Sequence, residues 1–216
     1  MKKSMSFPIL LACLLTGLLA ACTSGSNPGE ISYTVNVDNM EVYLLNSNTN
    51  KLLNLTNNPY DDWWGSWSPD GKRMVFASSR SGDFELYILD VDKEEIYRLT
   101  ENPADDGWPA WSPDGESIVF SSNRENDYEI FRINADGTNL INLTNNPAND
   151  GLPAWSPDNK RVAFTSDRDD NWEIYVVNAD GIAPENITNN SSGDVMPAWS
   201  PDGKQLAFSS GRDGDS

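Results

Sequence analysis

The feature that most narrows the fold of this chain is a repeat with a period of 44 residues. Trp67, Trp111, Trp155 and Trp199 each open a Trp-Ser-Pro-Asp stretch, and each lies 44 residues from the next. Phe76, Phe120, Phe164 and Phe208 keep that spacing, as do Arg80, Arg124, Arg168 and Arg212. So do Glu41, Glu85, Glu129 and Glu173, and Thr56, Thr100, Thr144 and Thr188 close the units. From Ile31 onward the alignment needs no insertion or deletion. A fixed period of this length signals a propeller or a solenoid, built of units that bury their faces only by stacking.

Each unit reads as four short strands, here called a to d. Strand a ends at the repeated Trp, and Ser68-Pro69-Asp70-Gly71 and its copies form the turn that follows. Strand b is Met74-Val75-Phe76 and its copies, and strand c is Glu85-Leu86-Tyr87-Ile88-Leu89 and its copies, rich in β-branched and aromatic residues. Asn134-Ala135-Asp136-Gly137 and Asn178-Ala179-Asp180-Gly181 read as hairpin turns into strand d. No helical period is present in this region. The expected fold is all-β: a β-propeller of 44-residue, four-stranded blades spanning 31–216. Strand b occurs once more than the others, because Ile31-Ser32-Tyr33-Thr34-Val35 also falls in its position. Two arrangements stay open: a ring of four blades, or an open arc such as a truncated larger propeller would give.

These units resemble the TolB-like β-propeller repeat family. The resemblance is carried by Pro109-Ala110-Trp111-Ser112-Pro113-Asp114-Gly115, Ser122-Asn123-Arg124, Asp127-Tyr128-Glu129-Ile130-Phe131 and Leu143-Thr144-Asn145-Asn146-Pro147. It recurs in every unit and implies a propeller with a binding or scaffold role at the bacterial envelope. In TolB itself an α/β domain precedes the propeller, whereas here the repeats follow directly on a short tether. Prolyl oligopeptidases carry similar propellers beside a hydrolase domain, but this sequence contains neither a Gly-x-Ser-x-Gly motif nor any His.

Residues 1–21 read as an export signal: Lys2 and Lys3, then an apolar run from Phe7 to Leu19 too short to span a membrane. Leu19-Ala20-Ala21-Cys22 resembles a bacterial lipobox, which implies cleavage before Cys22 and a lipid anchor on it. Residues 22–30 read as a flexible tether. The expected location is the cell membrane or outer membrane, facing the periplasm or exterior.

Composition removes several function classes. The formal net charge of −18 disfavours nucleic acid and anionic lipid as partners. The absence of His removes the commonest general base and metal ligand. Both Cys lie within the first 22 residues, so the repeats carry no thiol chemistry. The expected role is therefore non-enzymatic: a protein or glycan of the envelope held by loops between blades. The alternative is a carboxylate-based glycan hydrolase or lyase.

A residue present in every blade is expected to be structural, since a repeat supplies four copies where catalysis needs one. This places the Trp-Ser-Pro-Asp tryptophans in packing. It assigns the Arg series to carboxylate pairs tying the b–c loop to a neighbour. The residues that break the repeat are the candidate contacts: Trp63, Trp64 and Trp108 in the d–a loops, and Phe84, Tyr128 and Trp172 just before the repeated Glu. For these, partner contact and inter-blade packing both remain open. Asp167, Asp169, Asn171 and Glu173 place oxygen ligands at alternate positions, a pattern suited to calcium or to a solvated acidic loop.

Overall fold

The structure, a computed structural model, describes the backbone of 30–36 and the whole of residues 39–214. The export signal, Cys22 and nearly all of the tether lie outside the described residues. Among the described residues seventeen strands form five antiparallel sheets, and there is no helix. The first sheet holds β1 (Glu30–Asn36), β2 (Met40–Asn46) and β3 (Lys51–Asn54). Three complete meanders follow. They are β4 to β7 (Asp62–Trp67, Arg73–Ser78, Glu85–Asp90, Glu95–Arg98), β8 to β11 (Asp106–Trp111, Ser117–Ser122, Glu129–Asn134, Ile141–Asn142), and β12 to β15 (Asp150–Trp155, Arg161–Ser166, Glu173–Asn178, Glu185–Asn186). The last sheet pairs β16 (Asp194–Trp199) with β17 (Leu206–Ser210).

Strands a of successive sheets, β4, β8, β12 and β16, lie side by side, so they form the inside of the fan. In the three complete sheets strand b is buried on both faces, and its period of two decides which neighbour each residue meets. Met74 and Phe76 pack with Val42 of the first sheet, whereas Val75 and Ala77 pack with Trp111, Ile118 and Phe120 of the third. Val162 and Phe164 repeat the arrangement against Val119, Ile130 and Leu143. Phe76, Phe120 and Phe164 have no exposed surface. The repeated tryptophans also close inter-blade seams. The guanidinium of Arg73 lies 4.9 Å from the Trp111 ring, and that of Arg161 lies 4.6 Å from Trp199.

Among the described residues the sheets form an open arc: β16–β17 neither pair with β1–β3 nor pack on them as neighbouring sheets do. The surplus strand b occupies the b position of the first sheet, but not in the register of the other blades. There Phe76 faces Tyr87 and Phe120 faces Phe131. The equivalent would be Ser32 opposite Tyr43, yet Tyr33 faces Tyr43. A one-residue slip reverses the faces of a strand, so β1 fills the position without reproducing a blade strand.

A repeated polar relay links the blades, and here the structure corrects the expected pairing of the arginines. The Arg series does not reach across to a neighbouring blade. Each Arg instead meets an Asp buried at the start of strand a in its own sheet: Arg80 with Asp62, Arg124 with Asp106, Arg168 with Asp150, and Arg212 with Asp194. The four Asp residues have no exposed surface. The tie between blades is made by Asn. The backbone N–H of Asn102 donates to Glu85 at 2.7 Å, and its side-chain Nδ2 donates to Asp106 of the next sheet at 2.9 Å. Asn146 joins Glu129 to Asp150 in the same way, at 2.7 Å for each bond. Arg124 completes its unit by donating to both Asp106 oxygens at 2.9 Å and to Ser122 Oγ at 2.9 Å. Its guanidinium also lies 4.7 Å from the Phe131 ring.

Breaking a buried ion pair leaves an uncompensated charge. Arg124→Ala is therefore expected to destabilise the protein by about 3–5 kcal/mol, read as a lowered urea midpoint. Adding Asp106→Asn should recover part of that loss. A single variant with an unchanged midpoint would contradict the role given to the pair.

Candidate binding face

Trp63, Trp64 and Trp108, expected in the d–a loops, lie instead on strand a, because pairing with strand b starts at the Asp before them. Phe84, Tyr128 and Trp172 lie in the b–c loops, and a β-bulge shapes each copy of strand a. In β4, Trp63 pairs with Ala77 and Ser66 with Val75, leaving one extra residue between them. The same shift falls between Gly107 and Ala110, Gly151 and Ala154, and Val195 and Ala198. The residue inside each bulge has a left-handed backbone: φ is 55° at Trp64, 49° at Trp108, 55° at Leu152 and 60° at Met196. Large side chains rarely adopt this conformation, which costs on the order of 1–3 kcal/mol and clusters at functional sites. Bulges also re-aim side chains next to such sites.

The bulges bring five of the six candidate aromatics into one chain of ring contacts. Trp64 and Trp108 stack with centroids 4.4 Å apart. Trp63 lies 5.1 Å from Trp64, and Phe84 lies 6.4 Å from Trp63 and 6.2 Å from Trp64. Tyr128 meets Trp108 edge-on at 6.1 Å. Gly107 makes the stack possible, because a Cβ there would come within 2.9 Å of the Trp64 ring. Tyr128 is buried, while Trp63, Trp64, Phe84 and Trp108 are half-buried. Trp172 holds the equivalent place one sheet farther on, where its carbonyl accepts the Asp194 N–H at 2.7 Å. Packing and accessibility thus coexist: the rings fill the seam between blades and still present surface.

The four candidate calcium ligands are engaged by different partners. Asp167 accepts from Asn149, Asp169 from Tyr175 and Asn186, and Glu173 from Thr188 and Asn190. Asn171 donates to Glu173 and to the Asn190 and Ser192 carbonyls. Among the described residues, no group of three or more acidic side chains is arranged to hold a metal ion.

The reading of single residues missed the series Asp62, Asp106, Asp150 and Asp194. Its signal was available, since it keeps the 44-residue spacing. The relay gives one of its acids an unusual titration. Burial raises the Glu129 carboxyl to about 7, against the Thr144 hydroxyl and Asn146 N–H bonds that lower it. Burial likewise pushes Glu85 upward.

The sequence profile of the TolB beta propeller domain matches residues 25–152 and 140–216. No curated protein matches the chain by sequence. Among solved structures, TolB from Acinetobacter baumannii superposes with a TM-score of 0.74 at 22% identity, covering 85% of this chain and 46% of its own. The putative TolB from Agrobacterium tumefaciens gives a TM-score of 0.69 at 28% identity, covering 84% of this chain and 69% of its own. An oligogalacturonate lyase in complex with manganese gives 0.70 at 20% identity, covering 84% and 56%. This chain thus spans about half the length of the Acinetobacter structure.

A raised carboxyl binds its proton more tightly in the folded state than in the unfolded chain. The stability it contributes is complete below the ordinary value of 4.5 and is lost as pH climbs through about 7. Between pH 5 and pH 8 the urea midpoint should therefore fall further for the unaltered protein than for Glu129→Gln, which stays neutral. Parallel curves would show that Glu129 does not titrate in this window.

Proposed function

We propose that this chain, which belongs to the TolB beta propeller domain family, is a non-enzymatic binding module of the bacterial envelope that receives its partner on the inner aromatic face. The observation that carries this reading is the convergence of Trp63, Trp64 and Trp108 of the inner strands with Phe84 and Tyr128 of the b–c loops, Trp64 and Trp108 being held in left-handed backbone. Clustered Trp and Tyr rings in partly desolvated surroundings are the composition of binding hot spots. The likeness to an oligogalacturonate lyase keeps carbohydrate chemistry as the competing reading. Against it, the buried carboxylates repeat from blade to blade and are spent on the relay.

Capture of detergent-solubilised envelope proteins and glycans on the unaltered protein, Trp64→Ala and Trp108→Ala tests this role. A partner held by the first and lost from both variants is expected. Turnover of oligogalacturonate abolished by one Asp substitution would replace the binding reading with a lyase.

The place of action rests on Cys22. A lipid on this residue anchors the chain at a membrane surface. Cys22→Ser is expected to move the protein from the membrane fraction to the soluble fraction, and an unchanged distribution would remove the anchor.

A further inference from the structure

Charge divides the two ends of the sheets. The b–c and d–a loops lie at one end, beside the aromatic face: Asp105 Oδ1 accepts from the Phe84 N–H at 3.1 Å, and the Asp106 N–H donates to the Phe84 carbonyl at 2.7 Å. Among the described residues, the cations at this end are Arg80, Arg124, Arg168 and Arg212, each bound to a buried Asp, and Arg98, bound to Glu85 and Glu101. Every described lysine lies at the opposite end: Lys72, Lys160 and Lys204 precede strand b, Lys93 sits in a c–d turn, and Lys51 begins β3. The loops at this end therefore carry an excess of carboxylates, including Asp83, Asp105, Glu125, Asp127, Asp169 and Asp170, and every described cation among them is already paired.

We infer that the occupant of this face is an extended, lysine- or arginine-bearing polypeptide segment. This deepens the binding role proposed above and rests on it. The acidic loops would repel an anionic glycan, and they add a charge attraction for a cationic segment that a neutral sugar lacks. A cationic side chain meets both parts of the surface, because aromatic rings attract ammonium and guanidinium groups through their quadrupoles and the carboxylates steer them in. The extended form follows from the repeat. Trp64, Trp108, Leu152 and Met196 occupy the same bulge position on adjacent inner strands, a row that crosses the blades and offers apolar contact at each step.

The test uses a synthetic decapeptide with four lysines among Gly and Pro, its counterpart with glutamates, and a neutral xylohexaose. Binding is followed by tryptophan fluorescence. The lysine peptide is expected to bind, and about tenfold more weakly when salt shortens the Debye length from about 14 Å to about 4 Å. Its affinity should fall about tenfold in Asp83→Asn/Glu125→Gln/Asp127→Asn, whose exposed or loop positions leave the core untouched, and should be lost in Trp108→Ala. No binding of the lysine peptide, equal binding of the glutamate peptide, or preference for xylohexaose would overturn the inference. If envelope capture still yields a Trp108-dependent partner in that case, the binding role stands and only the cationic identity of the partner falls.

Discussion

The buried Asp at the head of each inner strand is the contact on which the rest of this structure depends. A carboxylate out of water is costly unless it is both paired and hydrogen-bonded. Each one here has an Arg from its own sheet and an Asn amide from the loop that arrives from the preceding sheet. The Asn backbone in turn caps the Glu of that preceding sheet. One relay thus fixes the loop, sets the spacing of neighbouring blades and accounts for the exact recurrence of Glu, Thr, Asn, Asp and Arg. Apolar packing supplies the bulk of the stabilisation through the seams at Phe76, Phe120 and Phe164, but it has no direction of its own. The relay gives it one.

The same relay shapes the surface. It consumes the arginines of the loop end in internal pairs, so the charge left facing solvent there is acidic. The bulges act in the same region. A left-handed residue at each inner strand costs conformational energy that an unbulged strand would not. Its retention in four sheets, with Trp at the first two, places an aromatic row where strands a meet. Structure and proposed function are therefore linked by one geometric device: the bulge that bends strand a also presents its side chain.

Much of the fold is legible in the sequence because the repeat makes each assignment four times over. The tryptophans, the strand boundaries and the turns of one blade are checked by the next. The candidate aromatics were legible as departures from that repeat, and five of them meet in space. The arginine partner was not legible, because Asp and Glu recur with the same period and spacing cannot choose between two equally periodic acids. Nor was the slip of β1: its position in the repeat is that of strand b, but pairing register depends on which face the strand must bury.

The sequence by itself determined that the chain is built of 44-residue all-β units. It also determined that His and Cys chemistry is absent from those units and that acid exceeds base. These follow from residue identity and period, which survive any arrangement in space. Only the tertiary structure decided that the sheets form an open arc, that Asp rather than Glu receives the Arg of the repeated series, and that Trp64 lies flat on Trp108 over Gly107. Those outcomes depend on which groups come within reach across a seam, and a period along the chain carries no information about distance across it.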